Sequence, residues 1–195
     1  MDQSNETGTP DEALLIAFAN GDGAAGQALV ARLGPMLFGY AARVLGDPAE
    51  AEDVVQDVMM KLWKLAPDWR QGEAKVSTWA YRVTVNLCTD RLRRRKTRGQ
   101  VDLDTIAEPA ADLKSAVEQM TEADRATALQ DALDALPDRQ RQAVVLRHIE
   151  GLSNPEIAGI MDIGVEAVES LTARGKRALK AALIGRKDEL GYGHG

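Results

Sequence analysis

Thr9-Pro10-Asp11-Glu12, Asp47-Pro48-Ala49-Glu50, Thr121-Glu122-Ala123-Asp124 and Ser153-Asn154-Pro155-Glu156 share one arrangement, a short polar residue with an acid three positions on. In the stretches that follow them, apolar residues recur at intervals of three and four. A side-chain oxygen at the first position accepts from the free N–H groups of a helix's first turn, and the acid returns a bond to the cap's own N–H. Proline suits the first turn because the N–H it lacks would have no partner there. No stretch alternates polar and apolar with the period of two that marks a half-buried strand. The chain is therefore expected to be all-α, with helices at 11–20, 24–45, 48–66, 76–97, 122–135, 138–150, 154–161 and 165–183.

Between 98 and 120 the helical period lapses. Gly99, Asp102, Asp104, Glu108, Pro109 and Asp112 stand there among few large apolar residues, the composition of an acidic, extended linker. Two small helical domains are expected on either side, at 10–97 and 121–185. A length of 195 residues suits one or two domains, and 45% hydrophobic residues suffice for ordinary cores. Cys88 is the only cysteine, so an internal disulfide and a paired-cysteine zinc site are both excluded, and it reads as a small buried hydrophobe. His148 and His194 are far apart, so no metal and no cofactor are expected. The opening MDQSNETGTP is polar and acidic, unlike a signal peptide. No apolar run is expected to reach the roughly 18 residues of a membrane span, so a cytoplasmic location without membrane insertion is expected. The glycine-rich tail at 191–195 is expected to be mobile.

The segment at 153–183 reads as a helix-turn-helix. A short capped helix carries Ile157, Ile160 and Met161 on one face, a break follows at Asp162-Ile163-Gly164, and a longer helix begins with Val165, Val168 and Leu171 or Thr172 facing inward. Its outward set is Glu166, Ala167, Glu169, Ser170, Ala173, Arg174 and Arg177, flanked by Lys176 and Lys180. The early residues of such a helix meet base edges in the major groove, and basic residues meet phosphates. Glu166 and Glu169 repel phosphate but can accept from a cytosine amino group, so they bear on specificity. The same pattern also suits an ordinary αα-hairpin.

The N-terminal half pairs an acidic helix with a basic one. In AEDVVQDVMMKLW (51–63), Val54, Val55, Val58, Leu62 and Trp63 form the apolar stripe, while Glu52, Asp53, Gln56, Asp57 and Met60 lie on the other side. That face reads as a docking surface or as a solvated one. STWAYRVTVNLCTDRLRRRK (77–96) carries Trp79, Tyr81 and Arg82 early and Asn86 midway, and Arg91, Arg93, Arg94, Arg95, Lys96 and Arg98 crowd its end. Cations at a helix C-terminus meet the dipole favourably, but a cluster this dense also suits phosphate tracking. Trp69, Trp79 and Tyr81 surround the loop PDWRQGEAKVST (67–78), and aromatic faces beside a basic groove hold unstacked bases. Trp63 and Trp79 also read as core.

These motifs together resemble the extracytoplasmic-function sigma factors of the sigma-70 family, over about residues 10–185. AEDVVQDVMMKLW is similar to the helix that docks on the β′ clamp helices of RNA polymerase. STWAYRVTVNLCTDRLRRRK is similar to the promoter-melting helix. LDALPDRQRQAVVLRHIEGLSNPEIAGIM (133–161), with the helix after it, is similar to the −35-reading domain, which sits on the β flap. The resemblance implies core polymerase binding by Glu52, Asp53, Gln56 and Asp57. It implies −10 contacts by Trp69, Arg82, Asn86, Arg91, Arg93, Arg94 and Arg95, with the 67–78 loop capturing a flipped base. It implies −35 contacts by Glu166, Glu169, Ser170, Arg174, Lys176 and Arg177. It further implies an acidic linker near the RNA path and an anti-sigma factor as partner. The recognition helix departs from the family, with Glu169-Ser170-Leu171 where a Lys-Ser-Arg run is common.

Charge fits this reading. The 24 basic and 30 acidic residues give a net charge of −6, unsuited to a free-standing DNA binder, since phosphate neutralisation supplies most non-specific affinity. A stand-alone helix-turn-helix regulator is the alternative, but it leaves the acidic helix, the aromatic loop and the arginine run unexplained. An interaction module that has lost DNA binding would draw its support from Glu166 and Glu169. Enzyme activity is not expected, because no phosphate-cradling glycine loop, nucleophile–base pair or metal spacing occurs.

Overall fold

The structure, a computed structural model, describes residues 9–70, 72, 75–99 and 122–185. Its elements are α1 (Asp11–Ala19), α2 (Gly23–Leu45), α3 (Pro48–Leu65), a 3₁₀ turn (Ala66–Asp68), α4 (Val76–Gly99), α5 (Glu122–Asp134), α6 (Asp138–Val144), a π-helical turn (Val145–Ile149), α7 (Asn154–Met161) and α8 (Val165–Gly185). The fold is all-α, as expected, and no strand occurs among the described residues. The expected linker from residue 100 onward, the cap residue Thr121 and the tail at 191–195 lie outside the described residues.

Local chemistry accounts for most of the helix starts. Asp47 accepts from the N–H groups of Ala49 (2.9 Å) and Glu50 (3.1 Å). Ser153 and Glu156 form a reciprocal capping box, in which Ser153 N–H donates to the Glu156 carboxylate at 2.9 Å. The Ser153 hydroxyl (2.7 Å), together with that N–H, donates to the Glu156 carboxylate and holds its pKa below the ordinary 4.5. Asp22, which the expected start at 24 overlooked, caps α2 through Ala24 and Ala25. The first expected cap is not used. α1 begins after Pro10 with no side-chain cap, and Glu12 turns elsewhere. The helix expected at 138–150 also changes character, because Glu150 N–H reaches back five residues to Val145 O at 3.0 Å. Such widened turns end α-helical hydrogen bonding locally.

α2 is the hub. Its Leu29, Leu33, Leu37, Tyr40 and Val44 share one buried cluster with Val54, Val58 and Leu62 of α3 and Ala80, Val85, Cys88 and Leu92 of α4. By length and composition α2 could cross a membrane, contrary to the expectation that no run would suffice. Leu29, Leu33, Leu37, Tyr40, Val44 and Leu45 of this helix are instead buried in the core, while Val30 and Met36 stay exposed. Two expected core residues lie at the margin, since Val55 and Trp63 are half-buried. Trp63 rests on Phe18 with ring centroids 4.3 Å apart.

The two expected helical units share that core. Ala143–Leu146, Ile157, Ile160 and Val168 belong to the same buried cluster, and α7 lies against α4. The C-terminal end of α2 is where they join. A helix leaves its last carbonyls without internal partners. Here Gln130 of α5 donates to Arg43 O (3.0 Å), Arg141 of α6 to Val44 O (2.7 Å) and Arg95 of α4 to Leu45 O (2.6 Å). Gly46 closes the helix in the left-handed conformation, with φ +65. Tyr81 of α4 donates to Glu150 (2.7 Å), Gln142 to Thr89 (2.9 Å), and Lys96 pairs with Asp138 (2.6 Å).

Candidate nucleic-acid interface

The α3–α4 pair presents an open groove lined by Lys61, Lys64 and Leu65 of α3 and Trp79, Val83, Asn86, Leu87 and Asp90 of α4. Helical geometry places Trp79, Val83, Asn86 and Asp90 on one face, at intervals of three and four. Asn86 is exposed, so its amide is free to present both donors and an acceptor. Trp79 is half-buried rather than core, and it meets Trp69 edge-to-face at 6.4 Å. Trp69, Trp79 and Asn86 thus follow one another from the 67–78 loop into the groove. Lys61 and Lys64 were not singled out in the sequence. Their spacing of three beside an aromatic groove was the available signal.

Trp69 itself is held from behind. Its indole N–H donates to Glu12 Oε1 at 3.1 Å, and Gly72 N–H donates to the same oxygen at 3.2 Å. Gly72 sits at φ +84, in the left-handed region where a side chain is strained.

The basic end of α4 divides into two sets. Arg91 points to α3, donating to Glu50 O (3.3 Å) and pairing with Asp57 (3.4 Å) and Asp53 (3.9 Å). Arg95 binds Leu45 O and pairs with Glu50 (3.0 Å) and Asp47 (3.8 Å). Arg93 and Arg94 are exposed, and among the described residues Arg93 pairs only with Asp90 of its own helix, at 3.9 Å. Arg82 is exposed and lies 3.6 Å from Asp162, in the turn of the helix-turn-helix. The acidic face of α3 is outward: Glu52, Asp53, Gln56 and Asp57 are exposed, with Met60 beside them at 56%.

In the C-terminal unit, Ile157, Ile160, Met161 and Val168 are buried. Asp162 ends α7 in the left-handed conformation, with φ 54, which a short polar side chain tolerates. Thr172, not Leu171, fills the next inward position, and its hydroxyl donates to Val168 O at 2.9 Å. Val165 is 40% exposed at the start of α8, contrary to the inward expectation. Glu166, Ala167, Glu169, Ser170, Ala173, Arg174, Lys176, Arg177 and Lys180 are all exposed on α8. That leaves carboxylates at its N-terminal end and cations further on.

No group of residues among those described could hold a metal ion. Cys88 is fully buried, which pushes its thiol up to about 12 and leaves it protonated.

Two family models match the chain: sigma-70 region 2 over residues 29–98 and sigma-70 region 4 over residues 126–179. The chain is 35% identical to the ECF RNA polymerase sigma factor SigM of Mycobacterium tuberculosis, across 90% of this chain and 85% of that protein. It is 30% identical to the RNA polymerase sigma-H factor of Pseudomonas aeruginosa, across 89% of this chain and 93% of that protein. Among solved structures it resembles CnrH in complex with the cytosolic domain of CnrY (TM-score 0.64, 26% identity, 90% of this chain and 97% of that one). The fold also matches RpoE from Bartonella quintana in complex with the anti-sigma factor NepR (TM-score 0.64, 22% identity, 80% and 95% covered). A role in transcription initiation follows, and a stand-alone regulator is not favoured, because both regions match in order. The chain belongs to the extracytoplasmic-function RNA polymerase sigma factors of the sigma-70 family.

Proposed function

We propose that this sigma factor works in the cytoplasm, docks on core RNA polymerase through the outward face of α3, and opens promoters with the groove between α3 and α4. In this reading Glu52, Asp53, Gln56 and Asp57 meet the β′ clamp helices, with Met60 as the apolar contact. The C-terminal unit lies on the β flap and lays α8 in the major groove of the −35 element. Ser170, Arg174, Lys176 and Arg177 touch it, and Glu166 and Glu169 select bases. The 67–78 loop and the groove take up a base flipped from the −10 element.

The observation that supports this most is the continuous path Trp69–Trp79–Asn86 beside Lys61 and Lys64. Flipping costs a few kcal/mol, which stacking on an aromatic face and hydrogen bonds to the base edge must offset. The path supplies aromatic surface, an amide able to pair with a base edge, and two cations for the backbone. Arg93 and Arg94 are placed to continue the phosphate contacts. Arg91 and Arg95, although part of the same run, hold α3 and α2. An anti-sigma factor is the partner expected to cover these surfaces, as the complexes of CnrH and RpoE suggest by analogy.

Run-off transcription with purified core polymerase on fragmented genomic DNA tests the proposal. Discrete transcripts that depend on the protein are expected, and their upstream sequences give both promoter elements. Tight binding to DNA by the protein alone, with no new transcripts, would overturn it.

A further inference from the structure

Glu12 stands where a capping acid would normally fold back on its own helix, three positions after Thr9. It does not do so. α1 starts without a side-chain cap, and one oxygen of Glu12 receives both the Trp69 indole N–H (3.1 Å) and the Gly72 N–H (3.2 Å). The two donors lie 57 and 60 residues away in sequence. α1 is itself anchored from its other side. Arg32 of α2 donates to Thr9 O (2.6 Å) and pairs with Asp11 (3.0 Å), and Leu15 is fully buried. An ionised acceptor shared by two donors restrains both the indole ring and the backbone at Gly72, because a hydrogen bond to a charged group is stronger than one between neutral groups. Glu12 also lies outside the stretch matched by sigma-70 region 2, which begins at residue 29.

We propose that Glu12 is a positioning residue for base capture: it holds Trp69 and the left-handed Gly72 so that these two stand preset beside Trp79 for an incoming base. The proposal rests on the assignment of that loop to the −10 element. Without the carboxylate the Trp69 ring and the Gly72 backbone must be fixed by the incoming base itself, and that cost is subtracted from affinity. Glu12 would then act on one base position, through the loop, without touching DNA.

The test uses holoenzyme assembled from core polymerase and the full chain. The probe is a labelled single-stranded oligonucleotide carrying the non-template −10 sequence, with versions made abasic at one position at a time. Glu12→Ala is expected to weaken binding about tenfold, equal to about 1.4 kcal/mol. The loss should disappear with the probe that is abasic at the captured position, while affinity for core polymerase stays unchanged. Trp69→Phe keeps an aromatic face but removes the N–H donor and part of the ring, so a loss confined to the same position is expected. A variant with residues 70–74 replaced by Gly-Ser-Gly-Ser-Gly separates the two levels of the argument. If that variant loses discrimination at one base and Glu12→Ala does not, the positioning role is overturned and the loop assignment stands. If neither variant loses it, the loop assignment falls, and the role of Glu12 with it. An even loss across all abasic probes, or a loss of core affinity, would make Glu12 merely structural and also overturn the proposal.

Discussion

Residues of one type do different things along a single turn of helix. Arg91 is 22% exposed and answers carboxylates of α3, whereas Arg93 and Arg94 face solvent. Replacing Arg93 and Arg94 together by Ala should reduce the salt slope of promoter binding by about 1.4–1.8, the value for two released counterions. Replacing Arg95 should leave that slope alone and instead cost about 1–2 kcal/mol of stability, because Leu45 O loses its donor. Equal slopes for both variants, measured with holoenzyme from low to high salt, would refute the division. His148 provides a second single-residue test. Burial first, then Lys176 and Arg147, hold its pKa below 6.5, so the folded state favours the neutral ring. A depressed histidine contributes fully above its unfolded value of 6.5, and the contribution is lost as pH falls below that toward the folded value. The melting temperature should therefore drop less on acidification from about pH 7 to about pH 5 in His148→Gln than in the parent protein. Parallel curves would count against it.

Elements meet under constraints that their own sequences do not carry. Gly175 lies inside α8 with normal helical backbone, where alanine would by itself favour the helix by about 1 kcal/mol. A methyl group there would come within 2.5 Å of Val144 in α6 and 3.3 Å of Gln140 O. Overpacking of this kind costs about 1–3 kcal/mol, so Gly175→Ala should lower stability despite its better propensity. A higher denaturation midpoint would show that the two helices can spread. The same contrast explains what was legible in the sequence. The starts of α3 and α7 were legible because cap and donor lie within three residues. The outward residues of α8 were legible from helical spacing. The use of Glu12, the division among the arginines and the half-exposure of Trp79 were not, since each is set by partners outside its own helix. Val165 was misplaced for a related reason: at a helix's first residue the period extends in one direction only, and the side chain is left 40% exposed.

The whole molecule is closed in a way that opposes its use. The −10 and −35 elements stand about 25 base pairs apart by their names, or about 85 Å at about 3.4 Å per pair. A compact chain of this length has a radius of gyration of about 16 Å. With α7 packed on α4 and Asp162 beside Arg82, the two units share one core, so on the proposed assignment of one to each element they would have to separate before both are reached. Part of the free energy of polymerase binding therefore goes into opening, and apparent affinity falls by the fraction of molecules that are closed. The bond from Tyr81 to Glu150 links only the two units, and burial together with that bond drives the tyrosine pKa well up, keeping its hydroxyl a donor. Tyr81→Phe keeps the ring against Tyr40 and removes the bond. A hydrogen bond to a charged group contributes about 1.5–3 kcal/mol, so opening should become easier by up to that amount. The variant is expected to show a larger average radius by small-angle X-ray scattering and, if the closed form dominates, about tenfold or greater tightening on core polymerase. The direction is diagnostic, because loss of a productive contact would weaken polymerase binding, whereas loss of a closing contact must strengthen it. An unchanged radius with unchanged affinity would mean that the core shared by α4 and α7, not this bond, sets the closed state.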